Sequence, residues 1–138
     1  MEDSYVEDYE RGVDAIRRYG PENVTYIPRT GKCMKLKNQD SVRMFFEEYT
    51  RNGNPVYIIG VTNNRDDFNE YTRSAYVSLR TDAKDATVGR WADAEGLTYN
   101  DVIAIMSGIS REQALKYKKQ YRQISIVVIE KNGLAELI

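Results

Sequence analysis

Apolar positions change their period several times along the chain, and the changes mark out the elements. Tyr5, Val6, Tyr9, Val13 and Ile16 recur at helical spacing before Gly20 and Pro21, which predicts an amphipathic helix over 4–19. Ser4 and Glu7 have the spacing of a capping box at its start. Residues 24–27 and 33–37 read as the strands of a hairpin spanning 23–37, with Gly31 in the connecting loop. Val42, Phe45, Phe46 and Tyr49 repeat the i, i+3, i+4, i+7 pattern and predict a second helix over 40–51, stopped at Gly53 and Pro55. Residues 56–62 are apolar without alternation and rich in β-branched side chains, as expected of a central strand covered on both faces.

Phe68, Tyr71, Ala75 and Leu79 predict a helix over 66–79, although the alternation at 76–80 leaves its tail open between helix and strand. Further helices are expected over 82–95, 98–106 and 110–121, the last opened by a capping box from Ser110 to Gln113. Residues 124–129 make a strong strand, and Asn132-Gly133 is the dipeptide of a tight turn, so a C-terminal hairpin is expected over 123–138. The sum is one α+β domain over 1–138: a small, largely antiparallel sheet packed by helices.

With 138 residues the chain is long enough to bury a core without covalent staples. It contains no histidine and a single cysteine, Cys33. That removes imidazole bases, His-containing triads, His-ligated metals and internal disulfides. Thr30-Gly31-Lys32 lacks the spacing of a phosphate-binding loop. The expectation is therefore no enzyme, no metal and no cofactor. The apolar runs fall far short of the roughly 20 residues that span a bilayer, and the acidic start differs from a leader peptide. No membrane association is expected, and the location expected is cytoplasmic.

The near-neutral total, 20 basic against 21 acidic side chains, hides segregation. Glu7, Asp8, Glu10 and Asp14 make the first helix acidic, while Arg29, Lys32, Lys35 and Lys37 make the first hairpin basic. A second basic group, Arg111, Lys118, Lys119 and Arg122, lies around the last helix. Tyr26, Tyr117 and Tyr121 stand beside these bases, a composition suited both to protein interfaces and to nucleic acid. The leading expectation is a small non-enzymatic binding protein, such as an accessory inhibitor of nucleic-acid-handling machinery, acting on a protein partner through one of these faces. A homo-oligomer is compatible with the same surfaces.

Ala92, Gly96, Val102 and Ile105, with Trp91 and Leu97, occur at the spacing of a helix-turn-helix, and segment 88–106 resembles that family. The resemblance implies a nucleic-acid-binding protein that reads DNA with this segment. A third expectation is a binder of nucleotides or cyclic nucleotides, with Lys or Arg on phosphate, Tyr on the base, and Asn63 or Asn64 on an edge.

Overall fold

Seven strands form one antiparallel sheet in the order β2-β1-β4-β5-β3-β6-β7 in a computed structural model that describes residues 2–21 and 23–138. Along the chain the elements are α1 (Glu2–Tyr19), β1 (Val24–Ile27), β2 (Lys32–Met34), α2 (Gln39–Tyr49), β3 (Val56–Gly60) and α3 (Glu70–Thr81). They continue as β4 (Asp85–Ala92), β5 (Thr98–Ser107), α4 (Arg111–Gln120), β6 (Val127–Ile129) and β7 (Ala135–Leu137). The domain is α+β, and its sheet is curled. Among the described residues no helix is long and apolar enough to cross a membrane.

The helices begin where side chains can satisfy free backbone donors. Asn38 caps α2 through the Ser41 amide, and Asn69 and Ser110 each form reciprocal capping boxes, with Thr72 and Gln113 respectively. Ser4 does not act in this way, because α1 already begins at Glu2 and places Ser4 inside its first turn. The tail at 76–80 is helical: Tyr76 and Leu79 lie on the buried side of α3.

Segment 88–106 corrects the sequence reading. It is neither of the helices expected over 82–95 and 98–106, and there is no helix-turn-helix. β4 and β5 form one long hairpin paired from Asp85↔Ile105 to Ala92↔Thr98. The run from Val102 to Ile105 is buried at every position, because helices cover both faces of the sheet there, and this removes the alternation that would reveal a strand. Gly96, at φ 82°, belongs to the hairpin turn, whose amides at Glu95 and Leu97 donate to the Asp93 carboxylate.

α1 and α3 pack on one face around Tyr9, Val13, Ile16, Tyr76 and Val88. Gly12 permits the close approach of α1: a Cβ there would stand 2.9 Å from Val88 Cγ2 and 3.0 Å from the Tyr26 ring. α4 covers the same face over β3, through Ala114 against Tyr57, Ile59 and Val128. α2 lies on the other face, with Phe45, Phe46 and Tyr49 against Ile27, Ile58, Ile103 and Ile129.

Burial pushes the Tyr49 phenol up to about 12, against the opposing pull of the Arg29 guanidinium, which stands 4.5 Å from the ring centre. A phenol held neutral in the fold contributes stability that is complete below its ordinary value near 10 and lost as pH rises through about 12. Tyr49→Phe is therefore expected to flatten the alkaline decline of the urea midpoint. An unchanged slope between pH ~9 and ~11.5 would contradict a buried, neutral phenol.

Candidate functional site

α2 crosses only the half of its sheet face nearest Val56, Ile105 and Ile129. The other half, toward Gly60, Trp91 and Asp101, is left as a cleft of about 350 Å³. Small-molecule sites commonly occupy about 300–1,000 Å³. Ile58, Ile103 and Val127 give the cleft an apolar floor that it shares with the α2 core. Trp91, Tyr99, Asp93 and Leu36 line one side, and Gln123, Asn63, Ile124 and Leu137 the other.

The β4–β5 register places Asp101 opposite Gly89, and Trp91 opposite Tyr99, all on this face. Gly89 keeps the space open: a Cβ there would stand 2.7 Å from Ile103 Cδ1 and 3.0 Å from the Trp91 indole nitrogen. The indole thus lies over the glycine that pairs with Asp101. Gly60 does the same for Gln123, whose amide oxygen occupies the place a Cβ would take.

Asp101 is only 7% exposed, and its Oδ1 accepts from Thr62 Oγ1 at 2.6 Å and from the Asn64 amide at 2.8 Å. Burial pushes its carboxyl up, while these two donors hold it down. Among the described residues it forms no ion pair, and no Lys or Arg lines the cleft. The loop from Val61 to Asn69 is fixed around this carboxylate. Asn64 donates to the carbonyls of Asp66, Asp67 and Asn100, and Gln123 donates to the Thr62 carbonyl and Asn63 Oδ1.

The residues expected from the sequence to bind a partner are distributed elsewhere. Tyr26 is in the core under α1, where burial raises its phenol, and it presents no surface. Arg29 is held against Tyr49, Asp85 and the Glu48 carbonyl, and Lys35 stands 4.9 Å from the Tyr19 ring centre. Lys32 and Lys37 are exposed. These bases belong to the sheet edge formed by β2, whereas Arg111, Lys118, Lys119 and Arg122 belong to α4 and its end over β3, with β1, β4 and β5 between. The two clusters therefore do not join into one stripe.

Tyr117 and Tyr121 stack with ring centres 6.3 Å apart and are partly buried against β3 and β6. Arg111 pairs with Glu136 at 3.9 Å. On α1, Asp8 bridges Arg11 and Arg80, while Glu7, Glu10 and Asp14 are exposed.

Compared with family models, curated proteins and solved structures, the chain matches none. The cleft's own chemistry is thus the guide. Among the described residues no three Cys, Asp or Glu side chains converge as a metal site. Asn63 alone of the nucleotide-contact candidates lines the cleft. Asn64 turns its amide inward to the loop, and no base is there to meet a phosphate. Sequence reasoning missed Trp91, Tyr99, Gln123 and Asp101 as a group. The available signal was a lone tryptophan and an acid directly preceding an apolar run.

Proposed function

We propose that the protein is a non-enzymatic binding protein whose ligand site is the cleft beside α2. The observation that carries this reading is Asp101, a nearly buried carboxylate on the wall of a largely apolar hollow with an aromatic side. Burying a charge is costly, and in a site that recognises a ligand the cost is offset when the ligand arrives. The lining supports binding rather than turnover: its titratable groups are Asp93, Asp101 and Tyr99, and no activated nucleophile stands beside a base.

Trp91 is the only tryptophan in the chain and lines the cleft, so its emission reports on occupancy. In a thermal-shift screen, compounds that raise the melting temperature are expected also to change Trp91 emission, with Ser125→Phe, an exposed position on the lining, weakening both effects while the protein remains folded. Stabilising compounds that leave Trp91 emission untouched would place binding elsewhere.

A second reading, a macromolecular partner with an acidic surface, is favoured by Lys118, Lys119 and Arg122, which form no ion pair among the described residues at the end of α4. Charge reversal at Lys118 and Lys119 should then weaken co-purification of the partner, whereas Ser125→Phe should not.

A further inference from the structure

We infer that the cleft selects an organic cation: an ammonium or guanidinium group set against Asp101, carried on an apolar or planar body that rests against Trp91 and the Ile58–Ile103 floor. The inference rests on the cleft being the ligand site and adds the chemical class of the ligand.

Three observations lead to it. First, Asp101 is half-satisfied. Its Oδ1 takes the Thr62 hydroxyl and the Asn64 amide, while Oδ2 accepts no hydrogen bond among the described residues. Oδ2 is not sealed away either, because among the described residues the one fully enclosed side-chain polar atom without a partner is Thr25 Oγ1. The free oxygen of a residue only 7% exposed thus keeps its access through the cleft that Asp101 lines.

Second, among the described residues no basic side chain pairs with it. The polar neighbours along the lining are Asn23, Asn63, Gln123, Ser125, Tyr99 and the second acid Asp93. An anionic ligand would meet two carboxylates and no base. A neutral one would leave the buried charge uncompensated. A cation supplies the missing partner, and a charge-assisted hydrogen bond gains strength where water is excluded.

Third, the aromatic wall suits a cation. The Trp91 and Tyr99 positions face each other across the β4–β5 ladder, adjoining the Gly89–Asp101 pair, and indole is the side chain that attracts cations best. Ile124 and Leu137, 80% and 60% exposed, continue the apolar lining to the mouth. They can cover a hydrocarbon body, or the stem of a lysine or arginine side chain reaching in from a partner.

The test compares matched probes by calorimetry and Trp91 fluorescence on the full chain. Tyramine is set against tyrosol, in which a hydroxyl replaces the ammonium, and butylguanidine is set against butylurea, its uncharged isostere. The cations are expected to bind at least tenfold more tightly than their neutral partners. Asp101→Asn should erase that preference while retaining the fold by circular dichroism and any residual affinity for the neutral probes. End-capped peptides carrying one lysine or one arginine separate the sources. Tighter binding of peptides than of free amines assigns the cation to a protein partner, and the reverse assigns it to a metabolite; either result upholds the class.

Equal affinity for charged and neutral probes, or an unchanged preference in Asp101→Asn, overturns the cation inference while leaving the cleft as the site. If neither series binds at millimolar concentration, or if binding leaves Trp91 unperturbed, the cleft reading falls together with the inference.

Discussion

Phe45→Ala is expected to lower the free energy of unfolding by about 3–5 kcal/mol, the range for removing a large buried aromatic side chain. Phe45 is fully buried on α2, its ring 5.0 Å from that of Tyr49, and α2 is the helix that closes this face of the sheet. The opposite face spreads its load over α1, α3 and α4, so a cavity there has neighbouring helices to draw on. On the α2 face the strands behind Phe45 are fixed by their ladders, and collapse around the cavity is limited. A typical domain has about 5–15 kcal/mol in total, so the variant should sit near the edge of stability. Urea denaturation should show a large fall in midpoint with little change in slope. A loss below about 1 kcal/mol would mean that α2 is not packed as described. The effect reaches the cleft, because Ile58 and Ile103 touch both the α2 core and the cleft floor. A helix loosened at Phe45 should therefore also weaken ligand binding.

How much of this was legible in the sequence depends on what each segment is covered by. α1, α2, α3 and α4 expose one side to water, and their 3.6-residue period survives in the order of apolar and polar residues. β1–β2 and the C-terminal hairpin are short and punctuated by glycines that adopt positive φ at Gly31 and Gly133. β4 and β5 also turn at a glycine of positive φ, Gly96, but that glycine fitted the turn of two helices equally well. Covered on both faces, the two strands lost the period of two, and Ala92, Gly96, Val102 and Ile105 happened to fall at helical intervals. A clue lay in Thr87, Val88, Val102, Ile103 and Ile105, whose branched side chains favour a pleated surface. The cleft was hidden for a different reason. Trp91, Asp101, Asn63 and Gln123 come from three separate stretches of chain, and only the β4–β5, β3–β5 and β3–β6 registers bring them to one face. Local patterns carry no information about such pairings. The charge clusters, which are local, were easy to see and proved to lie on separate elements.

Asp101 separates structure from function most sharply, because its alanine and asparagine variants should behave oppositely. Asp101→Ala orphans the Thr62 hydroxyl and the Asn64 amide in a buried position, at a cost of about 2–4 kcal/mol. Asp101→Asn retains an oxygen for both donors and removes the buried charge, so its stability at neutral pH should equal or exceed that of the natural chain. The sign of the pH dependence follows from the upward displacement of the Asp101 carboxyl by burial. A carboxyl raised in the fold contributes stability that is complete at pH below its unfolded value and lost as pH rises through its folded value. The advantage of Asp101→Asn should accordingly be largest at neutral pH and shrink as the natural chain takes up its proton on acidification. Asp93 and Tyr99, the other titratable groups on the cleft lining, are present in both proteins and largely cancel in the difference. Paired urea midpoints from pH ~7 down to pH ~4 measure it. A variant that loses the cation preference while gaining stability would show that the carboxylate is kept at the expense of the fold, as expected of a binding residue. An Asp101→Asn variant destabilised as strongly as Asp101→Ala would instead make the charge a structural requirement, and the site reading would lose its central residue.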